Sequence, residues 1–431
     1  MQNGDKHLFS STDSALRALE RAGSPPKSID ISNPNTQCQT ALDILAYLAH
    51  NNTTPWDEGT FFKSIVLKHW TSIGRWCRHF LEKFILAPEE PTTQQGLDFR
   101  DRILWALPSL FPSSYVSEDE HGHYARNFLR NSGRFLITPT VKVWLKLLDT
   151  CHPTTYKWTV FMLEIYFTRD PRLLQEFEDI IFDSKDRDVI GLSIRKMLQF
   201  ASSCRFSLVD LGALLEFNMF MLLMTPYFHP STILHDRFLS CGGVATLVRV
   251  LSAFLLGPTL THFPDGSEGS IAGFKMVESC LNLLKECLDY PFSASEALQA
   301  GFLKAVVRAV EHYDHWKEKG SDYLGPALAE VLQRISRLLV HPPVCRRFKR
   351  SREKHVTADW EVLIESKYRY LWEVWDSCLY NLDTFNEIRN ALKEPGLSLC
   401  DYDKLVVSKP RHGMPQVSSV LVMRRRHLLF L

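Results

Sequence analysis

Three groups of side chains in this sequence are of types that can do chemistry. Histidines form two close pairs, His312 with His315 in HYDHW and His121 with His123 across a glycine. Imidazoles one helical turn apart are a common start to a zinc site, but neither pair has Cys, Glu or Asp arranged around it at metal-site spacing. Both pairs are therefore read as surface or packing histidines. Carboxylates gather at Asp170, Glu176, Glu178, Asp179 and Asp183, which could supply a paired acid and base. On a helix with Phe177, Ile180 and Ile181 they read instead as the wet face opposite a core stripe. Cations run through Arg346, Arg347, Lys349, Arg350, Arg352 and Lys354, after a helix, where they could meet phosphate or an acidic partner. Only Phe348 interleaves them, which is too little aromatic surface for base stacking, so nucleic acid is disfavoured as a partner.

The motifs of common enzyme classes are missing from the sequence: there is no H-E-x-x-H, no G-x-x-x-x-G-K-S/T, no G-x-S-x-G and no G-x-G-x-x-G. PDGSEGS has glycines but no strand before it. No catalytic residue is assigned, and the expectation is a protein that is not an enzyme. The ten cysteines stand singly, with no C-x-x-C pair. Most lie beside apolar residues at helical spacing, which predicts reduced thiols packed as small hydrophobes in a cytoplasmic or nuclear protein.

With 50 Lys and Arg against 49 Asp and Glu, the net charge is +1, so no global field draws the molecule to polyanions or to a membrane surface. Partners must be found by local shape and local charge. The opening MQNGDKHLFSSTDS has no apolar core of a secretory signal. The most apolar stretch, Leu208 to Phe228, is interrupted by Asp210, Glu216 and Asn218 and predicts a buried helix rather than a membrane span.

The elements that must position these groups are helices. Residues 1–36 read as a loosely held leader, with one helical pattern from Asp13 to Ala22 that stops at Gly23 and Pro25-Pro26. From Gln37 to about residue 395 helical patterns alternate with short breaks, predicting an all-α body. The clearest runs through Trp70, Ile73, Trp76, Cys77, Phe80, Leu81, Phe84 and Ile85, with Arg75, Arg78, His79, Glu82 and Lys83 on its solvated side. Others are expected over 95–111, 118–131, 140–151, 156–168, 171–182, 187–203 and 208–224.

The segment from Pro230 to His341 repeats itself. FLSCGGVATLVRVLSAFLL overlays ALQAGFLKAVVRAVEHY, so that Leu239, Gly242 and Leu247 match Leu298, Gly301 and Val306, and Arg249 matches Arg308. A leucine, a glycine turn and a small-apolar helix resemble the junction of the second and third helices of an armadillo repeat. Glycine permits a sharp turn where two backbones approach, and the following helix offers one stripe to its own unit and another to its neighbour. The copies are 59 residues apart by their numbers, longer than the roughly 40 to 47 of this repeat class. The excess is placed in an inserted loop, Gly257 to Gly273. A third unit is expected where a helix over 326–340 ends at Pro342-Pro343. The fold expected is an armadillo/HEAT-like α-solenoid with irregular N-terminal helix pairs.

The HWTSIGRW helix, the two glycine junctions and the tail DWEVLIESKYRYLWEVWDSCLYNLDTFNEIRNALKEPGLSLCDYDK together resemble large fungal proteins with an armadillo-like body followed by a MYND-type zinc finger. That resemblance implies a finger starting near Cys400, with further cysteines and a histidine holding zinc. Here Asp403 stands where the second cysteine of a C-x-x-C would be, no cysteine follows Cys400, and only His412 and His427 remain. Residues 396–431 are accordingly read as an irregular tail, a remnant of such a finger. Read one base forward, Met414-Pro415 encodes cysteine, and Val417-Ser418 and Met423-Arg424 can do so, which recovers C-x-x-C-x5-C. The hypothesis is a shifted frame after about residue 404. The genomic nucleotide sequence tests it, and a forward frame lacking the remaining cysteines would refute it.

The leading functional expectation is a protein-interaction scaffold without a cofactor. Zinc enters only in the alternative, a MYND-type adaptor in a complete product. The partner is expected to be a protein or peptide. The surfaces proposed to contact it are Arg75 and Arg78, the run with Arg346, Arg347 and Lys349, and the loop from Asp265 to Glu268.

Overall fold

A computed structural model of the chain describes residues 11–52, 68–110, 137–150, 171–183, 188–224, 227, 232–257, 267–311 and 324–391. Among these every regular element is helical. The helices are α1 (Thr12–Ala22), α2 (Thr36–Asn52), α3 (Trp70–Phe80) continued by a π turn (Leu81–Ile85), α4 (Gln94–Ser109), α5 (Ile137–Thr150), α6 (Pro171–Asp183), α7 (Val189–Phe206), α8 (Leu211–Leu223) and α9 (Ile233–Ser240). They continue with α10 (Gly243–Leu256), α11 (Glu268–Cys287), α12 (Pro291–Gln299), α13 (Phe302–Glu311), α14 (Leu324–Leu338), α15 (Pro342–His355), α16 (Ala358–Lys367) and α17 (Arg369–Ala391). Expected helices over 118–131 and 156–168 lie outside the described residues, as do both histidine pairs and the tail with Cys400.

Local chemistry explains the starts. Ser11, Asp188, Asp210, Thr232, Ser267 and Thr357 each accept a hydrogen bond from the backbone N–H three residues on, satisfying an orphan donor of the first turn. α1 ends at Gly23, which takes φ 71°. Its Ala15, Leu16 and Leu19 are buried, and α1 packs on α2 and α3, so this part of the expected leader belongs to the core.

All eight residues of the Trp70-to-Ile85 stripe are buried. The stripe stays continuous past Phe80 because the helix widens to a π turn, in which the Leu86 N–H reaches back to the Leu81 carbonyl at 2.9 Å. Farther along, two sets of helices pack in chains of pairwise contacts. In one, α8 packs on α11, α11 on α14 and α14 on α17; in the other, α7 packs on α10, α10 on α13 and α13 on α15, which also packs on α12. Trp144 of α5 ties into the first set through its indole N–H, which donates to the Leu223 carbonyl at 2.8 Å. The second half of the expected inserted loop is helical: α11 begins at Glu268, and Gly273 lies so close to the Phe254 ring that an added Cβ would be 2.8 Å from it.

Pro342-Pro343, expected to stop a helix, starts one. Proline fits the first helical turn because its missing N–H has no partner there. The basic run therefore lies within α15 rather than after a helix. No single described helix is long and apolar enough to cross a membrane; α9 and α10 are so only jointly, and they bend 67° at the Gly242 turn.

Candidate interaction surface

The two glycine turns share one hydrogen-bond pattern. At the first, Gly242 takes φ 81° and ψ 27°, its N–H donates to the Leu239 carbonyl at 3.2 Å, and its carbonyl accepts from Thr246 N–H at 3.1 Å. At the second, Gly301 takes φ 100°, its N–H donates to Leu298 at 3.3 Å, and its carbonyl accepts from Ala305 at 3.2 Å. Leu239, Leu247, Leu298 and Val306 are all buried. The glycines are needed for positive φ, which L-residues rarely adopt. Close backbone approach, the other expected reason, does not hold at Gly301, where an added Cβ would meet nothing within 4 Å. One residue beyond the first turn, at Gly243, the crowding is by a side chain: a Cβ would stand 2.3 Å from the Phe238 ring.

Gly242 has no side chain to cap α10, and a residue of α12 does so. The Glu296 carboxylate on α12 accepts from Ala245 N–H and lies within electrostatic reach of Arg249 and Arg347. Burial raises its pKa, and that hydrogen bond and the two cations pull it back down. Sequence reasoning overlooked Glu296, because its partner is 51 residues away by number and no local pattern announces it.

The acidic stretch on α6 departs from the expected solvated face. Glu178 is 2% exposed, and its carboxylate accepts the Leu234 N–H at 3.1 Å and the Ile233 N–H, capping α9 together with Thr232. Burial raises its pKa, opposed by those two N–H groups. The signal was in the spacing: Leu174, Phe177, Glu178 and Ile181 fall on one helical stripe, all of them buried. Asp179 is exposed, and its carboxylate accepts from Gln175 Nε2 at 2.9 Å. Asp170 lies outside the described residues.

On α3 the expected polar face is also revised. His79 is buried, edge-on to Trp76 and Phe84, with its Nε2 4.0 Å from the Cys38 sulfur. Its pKa is lowered, chiefly by burial. Arg75 donates to Ser24 Oγ at 3.3 Å, and Arg78 pairs with Glu82 at 2.8 Å along the helix. Arg75 is held by Ser24 just beyond α1 and Arg78 by Glu82 on its own helix, so the structure does not gather them with the α15 cations, which are carried by a helix packed on α12, α13, α14 and α17.

On α15 the run divides by role. Arg347 donates to the Ser295 carbonyl at 2.9 Å, and Arg352 donates twice to Glu361. Phe348 is fully buried against Trp375. Lys349 pairs weakly with Glu353 at 4.0 Å. Arg346, Arg350 and Lys354 are exposed and form no ion pair with any described residue. Of the expected contact loop, Ser267 caps α11 and Glu268 opens its first turn, where a carboxylate suits the helix dipole; Asp265 lies outside the described residues.

His235 is the other overlooked group. It is fully buried, with Nδ1 2.8 Å from the Tyr227 carbonyl, and the Tyr227 hydroxyl in turn meets Ser193 Oγ at 3.1 Å. Of the eight described cysteines, seven are buried and Cys241 is exposed. Burial pushes the thiols up, to about 11 at Cys38 and about 12 at Cys204, Cys280 and Cys378. No group of three or more His, Cys, Asp or Glu positioned to hold a metal occurs among the described residues.

In comparison with known proteins, no family model matches this chain, and neither does any curated protein.

Proposed function

We propose that this protein is a helical-repeat scaffold that binds a protein or peptide partner. The observation that carries the reading is the serial packing of α8, α11, α14 and α17 beside α7, α10, α13 and α15, with the same leucine–glycine turn recurring at Gly242 and Gly301. In a stack of this kind each unit buries its stripe against its neighbours, which leaves an extended face along the stack for a ligand. The commitments of buried polar groups support binding over catalysis. Glu178 is held by backbone N–H groups, His235 by the Tyr227 carbonyl and Tyr227 by Ser193, so each serves a structural bond.

Two measurements test the proposal. Small-angle scattering on the full chain should give a radius of gyration clearly above about 22 Å, the value for a compact globule of this length. Affinity capture with cross-linking should retain a stoichiometric partner. A compact radius would overturn the repeat-stack reading, and failure to retain any partner would overturn the scaffold reading.

A further inference from the structure

The exposed cations of α15 are spaced in a way that the helix's own stability does not explain. Arg346, Arg350 and Lys354 stand four residues apart, so they share one face of the helix, with successive charges about 6 Å along its axis. Like charges at this spacing repel each other. The first turn of α15 carries no acid to balance them. Some surface cations elsewhere are paired, Arg78 with Glu82, Lys285 with Glu330, Arg308 with Glu311 and Arg369 with Glu373, while Arg195, Lys275 and Arg337 stand exposed singly on separate helices. Lys354 suits the C-terminal end of the helix dipole, but Arg346, close to the N-terminal turn, does not.

Neighbouring helices extend this face. Arg389 of α17 lies within electrostatic reach of the Cys345 thiol, as do Arg346 and Lys349. At the other end, His355 lies within electrostatic reach of both Lys354 and the exposed Lys304 of α13. The result is a cationic strip on three elements, in a chain whose net charge is only +1.

We propose that the Arg346, Arg350 and Lys354 strip, flanked by Arg389 and Lys304, docks an acidic segment of a partner protein in extended conformation. The inference rests on the scaffold reading and names the partner's chemistry. An extended chain advances about 3.3 Å per residue, so a segment with an acid at every second position presents carboxylates about 6.6 Å apart, close to the spacing of the cations. Arginine favours such a partner because its planar fork can grip a carboxylate with two hydrogen bonds. A single-stranded nucleic acid would need a series of exposed rings on this helix for its bases, but Phe348 is buried and only the half-buried imidazole of His355 remains, at the helix end.

The test is fluorescence anisotropy on the full chain with a labelled peptide of alternating Glu and Ser, at low and at physiological salt. An alternating Gln and Ser peptide and oligothymidylate serve as comparisons. The Glu peptide should bind, weaken with salt, and lose at least about tenfold in affinity in R346E/R350E/K354E. The charge-matched variant R195E/K275E/R337E, at scattered exposed sites, should bind like the wild type. If circular dichroism shows that charge reversal disturbs folding, the R346Q/R350Q/K354Q variant replaces it and should still rank below the scattered variant. No binding of the Glu peptide, equal weakening by both triple variants, or tighter binding of oligothymidylate would each overturn the proposal. Cross-linked capture separates the two readings. The same partner held by the wild type and by R346E/R350E/K354E refutes this site and leaves the scaffold reading standing, whereas no partner held by either refutes the scaffold reading itself.

Discussion

Replacing Gly301 tests the repeat junction at its most exacting atom. A Cβ added there would meet nothing within 4 Å, so any cost of Gly301→Ala comes from the backbone alone. Holding an L-residue at positive φ costs about 1 to 3 kcal/mol. The stiffer unfolded chain returns about 0.4 to 1 kcal/mol, leaving a net loss of about 1.3 kcal/mol at mid-range and roughly 0 to 2.6 kcal/mol at the extremes. Gly301→Val should cost more than Gly301→Ala, because a β-branched side chain crowds its own backbone at positive φ whatever the space outside. Gly243→Ala should lose about 1 to 3 kcal/mol for the opposite reason, since its Cβ would stand 2.3 Å from the Phe238 ring. A double-mutant cycle with Phe238→Leu separates the two causes: Gly243→Ala should couple to it strongly and Gly301→Ala should not.

Heat is the wrong perturbant for this measurement. At about 2.1 cal/mol/K per residue, a loss of 1 kcal/mol shifts the Tm of a single cooperative unit of this size by only about 1 °C. Guanidinium denaturation followed by circular dichroism, with hydrogen exchange at the amides of Leu303 to Val306, reads the junction directly. A Gly301→Ala protein as stable as the wild type, with unchanged exchange in α13, would refute the left-handed turn and the repeat alignment built on it.

Glu178 supplies a pH signature. Its folded pKa is raised above the ordinary carboxylate value of 4.5, so the native state holds its proton more tightly than the unfolded chain. This contribution to stability is present at acid pH and is lost as the pH rises through the raised folded value. Glu178→Gln should flatten that part of the stability profile and be neutral or stabilising at pH 7. Glu178→Ala should cost about 1 to 3 kcal/mol, because the Leu234 and Ile233 N–H groups lose their acceptor; an Ala variant of wild-type stability would refute the buried cap. Thiol labelling of the native protein with mass mapping should modify Cys241 ahead of the seven buried cysteines among the described residues, and prior labelling of Cys280 or Cys378 would contradict the packing.

The apolar face of each helix was legible in the order of residues alone, because a buried stripe needs a hydrophobic side chain at every three- or four-residue step. The Trp70-to-Ile85 stripe, the stop at Gly23 and the paired glycine turns at 242 and 301 all follow from local rules of spacing, capping and backbone sterics. Which polar groups are enclosed was decided by tertiary contacts. Glu178 and His79 lie on or beside apolar stripes, yet their burial depends on what packs over them: the start of α9 for one and Cys38 of α2 for the other. Glu296 and Arg347 bond to backbone atoms of other helices. Pro342-Pro343 is compatible with the end of one helix or the start of another, and the packing of α15 on α12 selects the start. Local sequence specifies a helix and its apolar side, because those depend on neighbours within one turn. The partners of its polar side chains are fixed only when distant helices bring their unsatisfied N–H and C=O groups into reach.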